Sequence, residues 1–164
     1  LDQQILWLFF LIILQLFSKN RIKFFPERLW AWRPLLVSAL VGVSLGLMML
    51  KLAPLFSTQT AVVQLKASPD PFRPALALLV LGPLLEEMLF RGLLGSLLLR
   101  YFAFRTAAII DGLLFAIAHG GGWLLPPFTL AGGCLFWLYY RHRVLFYPWL
   151  AHVIWNIVVF LAHW

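Results

Sequence analysis

Three short stretches of this chain combine residues that could do hydrolytic chemistry. The run Leu81–Leu99, LGPLLEEMLFRGLLGSLLL, is nearly all apolar yet carries Glu86, Glu87 and Arg91. FAIAH ends on His119, and HVIWN joins His152 to Asn156. On a helix, residues four apart share a face. Glu87 and Arg91 therefore form an i, i+4 pair in the favoured order and can neutralise one another. Glu86 is turned by about 100° from that pair and has no partner on its own helix. A carboxylate set apart in this way can serve as a general base if groups from other helices reach it. His119, His152 and Asn156 are the candidates. Together they suit amide hydrolysis. The carboxylate takes a proton from water, and an imidazole holds that water or protonates the leaving amine. A second imidazole and the Asn amide can donate to the developing oxyanion.

The other reactive side chains fit less well. Ser96 is a lone serine beside Gly95. Asp111 lacks the second aspartate that an aspartyl dyad requires, and its expected role is structural, as an interhelical partner of Arg91. Glu87 and Arg91 read as a structural clamp. There is no H-E-x-x-H stretch of the kind a zincin shows. The single cysteine, Cys134, excludes an intrachain disulfide and reads as small apolar filler.

These residues need elements to position them, and composition says what surrounds those elements. Of 164 residues, 63% are apolar and only 12% charged, with a mean hydropathy of +0.91. Soluble domains carry about 25% charged residues, and a chain of this size has too much surface to hide so much apolar material from water. The solvent for most of the chain is therefore lipid. An ionised group deep in hydrocarbon costs roughly 2.5–3.5 kcal/mol even on the lenient insertion scale, so charges there are functional by default. The net charge of +7 comes from Lys and Arg placed between apolar runs, a topology signal rather than a nucleic-acid-binding pattern.

The apolar runs predict an all-α, polytopic transmembrane bundle of about six helices, near 3–18, 34–55, 74–99, 105–119, 127–140 and 145–163. The run Ile5–Phe17 is short for a span and reads as a partly interfacial helix. Lys19, Arg21, Lys23, Arg28 and Arg33 form one basic cluster, Arg100 and Arg105 a second, and Arg141 and Arg143 a third. With alternating helices all three fall on one side, which the positive-inside rule makes cytoplasmic. No repeat or domain boundary interrupts the chain, so residues 1–164 read as a single membrane domain. Counted from the basic side, Glu86 falls at about 12 Å and His119 at about 22 Å, so tilt or a kink at Gly82–Pro83 must bring them level. The Pro126–Pro127 pair is expected to let the fourth and fifth spans splay.

The three stretches, in this order and on separate spans, resemble the three motifs of the CPBP intramembrane protease family, the CAAX-protease and bacteriocin-processing family also called Abi. GPLLEEMLFRGLL is similar to its first motif and YPWLAHVIWN to its last. The resemblance covers a core of about residues 75–160. It implies an intramembrane endopeptidase acting on a membrane-associated protein or peptide, which can be lipidated. Glu86 matches the family's catalytic glutamate, His119 and His152 its histidines, and Asn156 its asparagine. It implies water activation by glutamate without a cofactor. The same site with zinc held by Glu86, His119 and His152 stays open as an alternative. So does a non-proteolytic membrane interaction or immunity protein. A proton-coupled transporter is disfavoured, because no inverted repeats are found.

Overall fold

The computed structural model describes Ile12 and residues 23–27, 31–52 and 70–163. The expected first helix, Ile12 apart, lies outside the described residues, as do residues 53–69. The described residues form five helical stretches and no strand. Helix α1 is Trp32–Leu52. The second stretch, α2, runs without a break over 72–101. It is α-helical at Phe72–Leu76, π-helical at Ala77–Leu81, α-helical at Gly82–Glu87, π-helical again at Met88–Gly95 and α-helical at Ser96–Tyr101. Helix α3 is Phe104–Ala118, α4 is Leu125–His142 and α5 is Phe146–His163. Five of the six expected helices are thus present, with ends shifted by only a few residues.

Helices α1 and α5 are long and apolar enough to cross a membrane. The outward faces suit lipid as well, since Leu36, Leu40, Val43 and Leu47 form an exposed apolar stripe along α1. The chain is an all-α membrane protein.

The packing rests on small residues. A Cβ on Gly42 would collide with the Ala151 carbonyl oxygen, and one on Gly46 would stand 2.7 Å from the Val158 side chain. The G-x-x-x-G spacing on α1 therefore seats it directly on α5, as small-x-x-x-small faces do between membrane helices. A second close approach joins α3 to α4, where a Cβ on Gly132 would stand 2.7 Å from the Gly112 Cα. Gly132 thus lies on a close-packing face of α4. The expected splaying at Pro126–Pro127 is corrected: both prolines sit in the first turn of α4, where their missing N–H groups cost nothing, and α4 lies flush against α3.

The described members of the three basic clusters, Lys23, Arg33, Arg100, Arg105, Arg141 and Arg143, gather at one end. Phe104, at the start of α3, meets Tyr140 near the end of α4 with ring centroids 4.4 Å apart. Residues 23–27 lie against the α4–α5 turn, with Leu145 and Phe146 N–H groups donating to the carbonyls of Lys23 and Phe24. That turn is recessed: Val144 and Leu145 are buried, whereas Tyr101 and Phe102 at the α2–α3 turn are exposed.

Candidate active site

Adjacent residues on α2 reach the two nitrogens of one imidazole. Glu87 Oε1 accepts from His152 Nδ1 at 2.9 Å, and Glu86 Oε2 lies 3.7 Å from His152 Nε2. His119, from the end of α3, brings its Nε2 to 3.6 Å from the same Glu86 oxygen. Three sequence stretches that are far apart thus converge on one atom.

Each histidine is held from behind. The Nδ1 of His119 lies 2.8 Å from the Phe115 carbonyl oxygen. A carbonyl can only accept, so Nδ1 carries the proton. The Nδ1 of His152 faces the carboxylate of Glu87, which Arg91 neutralises, and donates in the same way. In the neutral tautomer of both rings, Nε2 is then an unprotonated acceptor aimed at Glu86. Aromatic rings fix the planes. His119 stacks on Phe128 at 4.7 Å, and His152 stacks on Trp155 at 4.9 Å. His119 is the C-cap of α3, and the chain can turn away directly behind it because Gly120, Gly121 and Gly122 all take positive φ.

The geometry removes the depth mismatch. Glu86 lies fifteen residues before the end of α2 and His119 fifteen residues after the start of α3, so each stands roughly 22 Å from the turn that joins them. His152 lies only six residues into α5, yet it reaches the same level because the α4–α5 turn is recessed. The expected kink at Gly82–Pro83 is a π-helical turn, with the Gly82 N–H reaching back to the Ala77 carbonyl.

Behind this cluster sits a wholly buried ionic group. Arg91 donates to Glu87 Oε1 at 3.1 Å and to the Gly132 carbonyl at 3.0 Å. Its Nε lies 3.5 Å from Asp111 Oδ2, and its guanidinium stands 4.7 Å over the Phe115 ring. Glu87, Arg91 and Asp111 are all fully buried, whereas the side chains of Glu86 and His119 keep 34% and 26% of their exposure. Glu87 is therefore not confined to Arg91, as the spacing suggested. The same oxygen that takes the Arg91 N–H also anchors His152.

Asn156 departs from expectation. It lies one turn beyond His152, but its Nδ2 donates to the Leu78 carbonyl at 3.1 Å rather than into the Glu86 cluster. Sequence reasoning reached Phe115 only through its spacing from His119 and did not reach Trp149. The Phe115 carbonyl orients His119, and the Trp149 indole N–H donates to the Val80 carbonyl at 3.2 Å. The FAIAH spacing contains the first signal, since Phe115 and His119 are four apart on one helix. The second link spans sixty-nine positions and has no local signature. Two imidazole nitrogens and a carboxylate oxygen suit zinc as donors. Among the described residues, however, no group of three His, Cys, Asp or Glu side chains stands in metal-holding geometry. A cavity of about 500 Å³ lies elsewhere, between α1, α3 and α4, lined by Val41, Ile109, Leu130 and Trp137 among others, and includes none of these site residues.

A family described as type II CAAX prenyl endopeptidase Rce1-like matches residues 68–158, more than half of the chain. The chain belongs to this family. The matched stretch contains Glu86, His119, His152 and Asn156, so every residue of the converging cluster falls inside it. Members of the Rce1-like family are peptidases of the membrane, in keeping with the apolar helices described above. A relative in Bacillus subtilis (strain 168), named "Putative membrane peptidase YdiL", is 31% identical over 80 residues. That match covers 49% of this chain and 33% of the relative, so the chain spans about a third of the length of the curated relative it matches. No solved structure matches.

Proposed function

We propose that this chain is a multi-pass, membrane-embedded endopeptidase that cleaves a peptide bond of a membrane-associated protein or peptide with water activated by Glu86. The observation that carries the reading is the convergence of both His Nε2 atoms on Glu86 Oε2, with each Nδ1–H tied down behind. Three acceptors facing one another call for a donor, and a water molecule offers two O–H bonds. One points to the Glu86 carboxylate and the other to an imidazole Nε2. As the water oxygen attacks the scissile carbonyl carbon, its proton passes to Glu86. Glu86 returns that proton to the amide nitrogen as the C–N bond breaks, leaving a carboxyl group and an amine. The imidazoles hold the second O–H and keep the nucleophile in line. Glu87, Arg91 and Asp111 stay outside these steps and hold His152 and α2 in place. A prenylated or otherwise lipidated substrate is what the family description suggests, and the basic end is assigned to the cytoplasm.

The test is cleavage of a labelled peptide library by the protein reconstituted in lipid vesicles. Intact protein is expected to cleave. Glu86→Gln keeps the side-chain shape and removes the base, so turnover should fall by about 10²–10⁴-fold while thermal unfolding is unchanged. Equal turnover in Glu86→Gln and the native protein would sink the assignment. Loss of cleavage on chelation, restored by zinc, would move the reading to the zinc-dependent alternative that the donor set allows. Absence of cleavage from either vesicle face would favour a non-proteolytic membrane partner.

A further inference from the structure

The π-helical turn of α2 leaves one carbonyl without a backbone donor. The Gly82 N–H bonds to Ala77 instead of Leu78. In the wider π register the next donor for Leu78 would be residue 83, which is proline and has no N–H. Leu78 is exposed, and a carbonyl left unpaired on a lipid-facing surface is costly, so neighbouring helices commonly supply the missing donor. Here the Asn156 amide does so at 3.1 Å. Two residues along the same π segment, the Trp149 indole N–H donates to the Val80 carbonyl. Trp149, His152 and Asn156 follow a spacing of three and four, so they form one stripe on α5. The two outer residues of the stripe grip the backbone of the π turn. The middle one meets the carboxylates that follow it, Glu86 and Glu87.

We infer that Asn156 is a positioning residue: it supplies the hydrogen bond that Pro83 cannot, and so sets His152 against Glu86. This differs from an oxyanion donor, which would act on the substrate directly. The role in cleavage rests on the proposed endopeptidase activity; the hydrogen bond itself does not.

Residue 83 provides the test. Asn156→Ala should lower both the melting temperature in detergent micelles, by about 3 °C or more, and peptide cleavage, by about tenfold. Pro83→Ala restores an N–H beside the Leu78 carbonyl. In that background Asn156→Ala should lose most of its effect on both measurements. A cleavage loss of the same size whether residue 83 is Pro or Ala would overturn the inference, because a direct oxyanion donor does not depend on residue 83. If the native protein cleaves nothing, the endopeptidase reading fails by itself and the melting-temperature cycle still decides the capping role. A further measurement needs no variant at residue 83. The chain contains only two asparagines, Asn20 and Asn156. With ¹⁵N-asparagine labelling, the side-chain NH₂ pair that disappears in Asn156→Ala should have one proton protected from solvent exchange in the native protein. Free exchange of both protons would overturn the inference.

Discussion

Glu86 and Glu87 are chemically identical neighbours whose surroundings divide their roles. A turn of about 100° between consecutive helical residues lets them reach the two nitrogens of one ring, Glu86 toward Nε2 and Glu87 onto Nδ1 of His152. Glu86 keeps part of its side chain exposed although its Oε2 is buried, whereas Glu87 is sealed between Arg91 and His152. Substituting Glu87 should therefore read differently from substituting Glu86. In Glu87→Gln the amide oxygen can take the place of Oε1 and accept from both Arg91 and His152. The tautomer of His152 is kept and cleavage per folded molecule should stay within about tenfold of native. Arg91 is left with Asp111 as its remaining acidic neighbour, and breaking such a buried pair costs about 3–5 kcal/mol. The melting temperature should therefore fall well below that of Glu86→Gln. Glu87→Ala removes the acceptor as well and should lower both readouts further. If Glu87→Gln abolished cleavage as deeply as Glu86→Gln while remaining folded, the base would have to be reassigned. The Glu87–Arg91 pair is legible in the sequence because four residues define it. The Glu87–His152 contact is not, because sixty-five positions separate the partners and only tertiary packing joins them.

At the scale of elements, five expected spans and their order could be read directly, since an apolar run between basic or Pro-rich breaks is a local signal. The two π-helical segments of α2 could not, because the residue types of Ala77–Leu81 and Met88–Gly95 occur equally in the α-helical stretches. The cause of the first is partly non-local: the carbonyls at Leu78 and Val80 are met by side chains of α5. The G-x-x-x-G face of α1 was present in the sequence but lay outside the chemical motifs. It matters to the site because Gly42 abuts the carbonyl of Ala151, the residue before His152. Gly42→Val should force α1 off α5 and, as overpacking does, cost about 1–3 kcal/mol, visible as a lower melting temperature in micelles. Leu47→Val, on the exposed stripe of the same helix, should leave the temperature nearly unchanged. Similar effects from both would mean that α1 is not seated on α5 through its glycines.

The whole molecule has an electrical direction. Lys23, Arg33, Arg100, Arg105, Arg141 and Arg143 stand at one end of the bundle, while the opposite end of the described residues carries Lys51 and Arg73. The helices alternate between these ends: α1, α3 and α5 start from the basic end and α2 and α4 return to it. The α4–α5 turn is buried beneath residues 23–27. That recess carries the start of α5 inward and lets His152 meet Glu86 near the middle of α2. Counted from a common level, His152 would stand only about 9 Å in, against roughly 22 Å for Glu86 and His119. Charge asymmetry in short loops sets orientation during insertion, so the basic end should face the cytoplasm. In a Cys134→Ala background, a single cysteine at Arg105 should resist a membrane-impermeant maleimide added to intact cells and react once the cells are opened. A single cysteine at Asp70, at the opposite end and exposed, should react from outside. The inverse pattern would reverse the orientation and require the substrate to come from the other face. Reaction of both positions from outside would mean that α2 does not cross the membrane, and the site would then have to be rebuilt as an interfacial one.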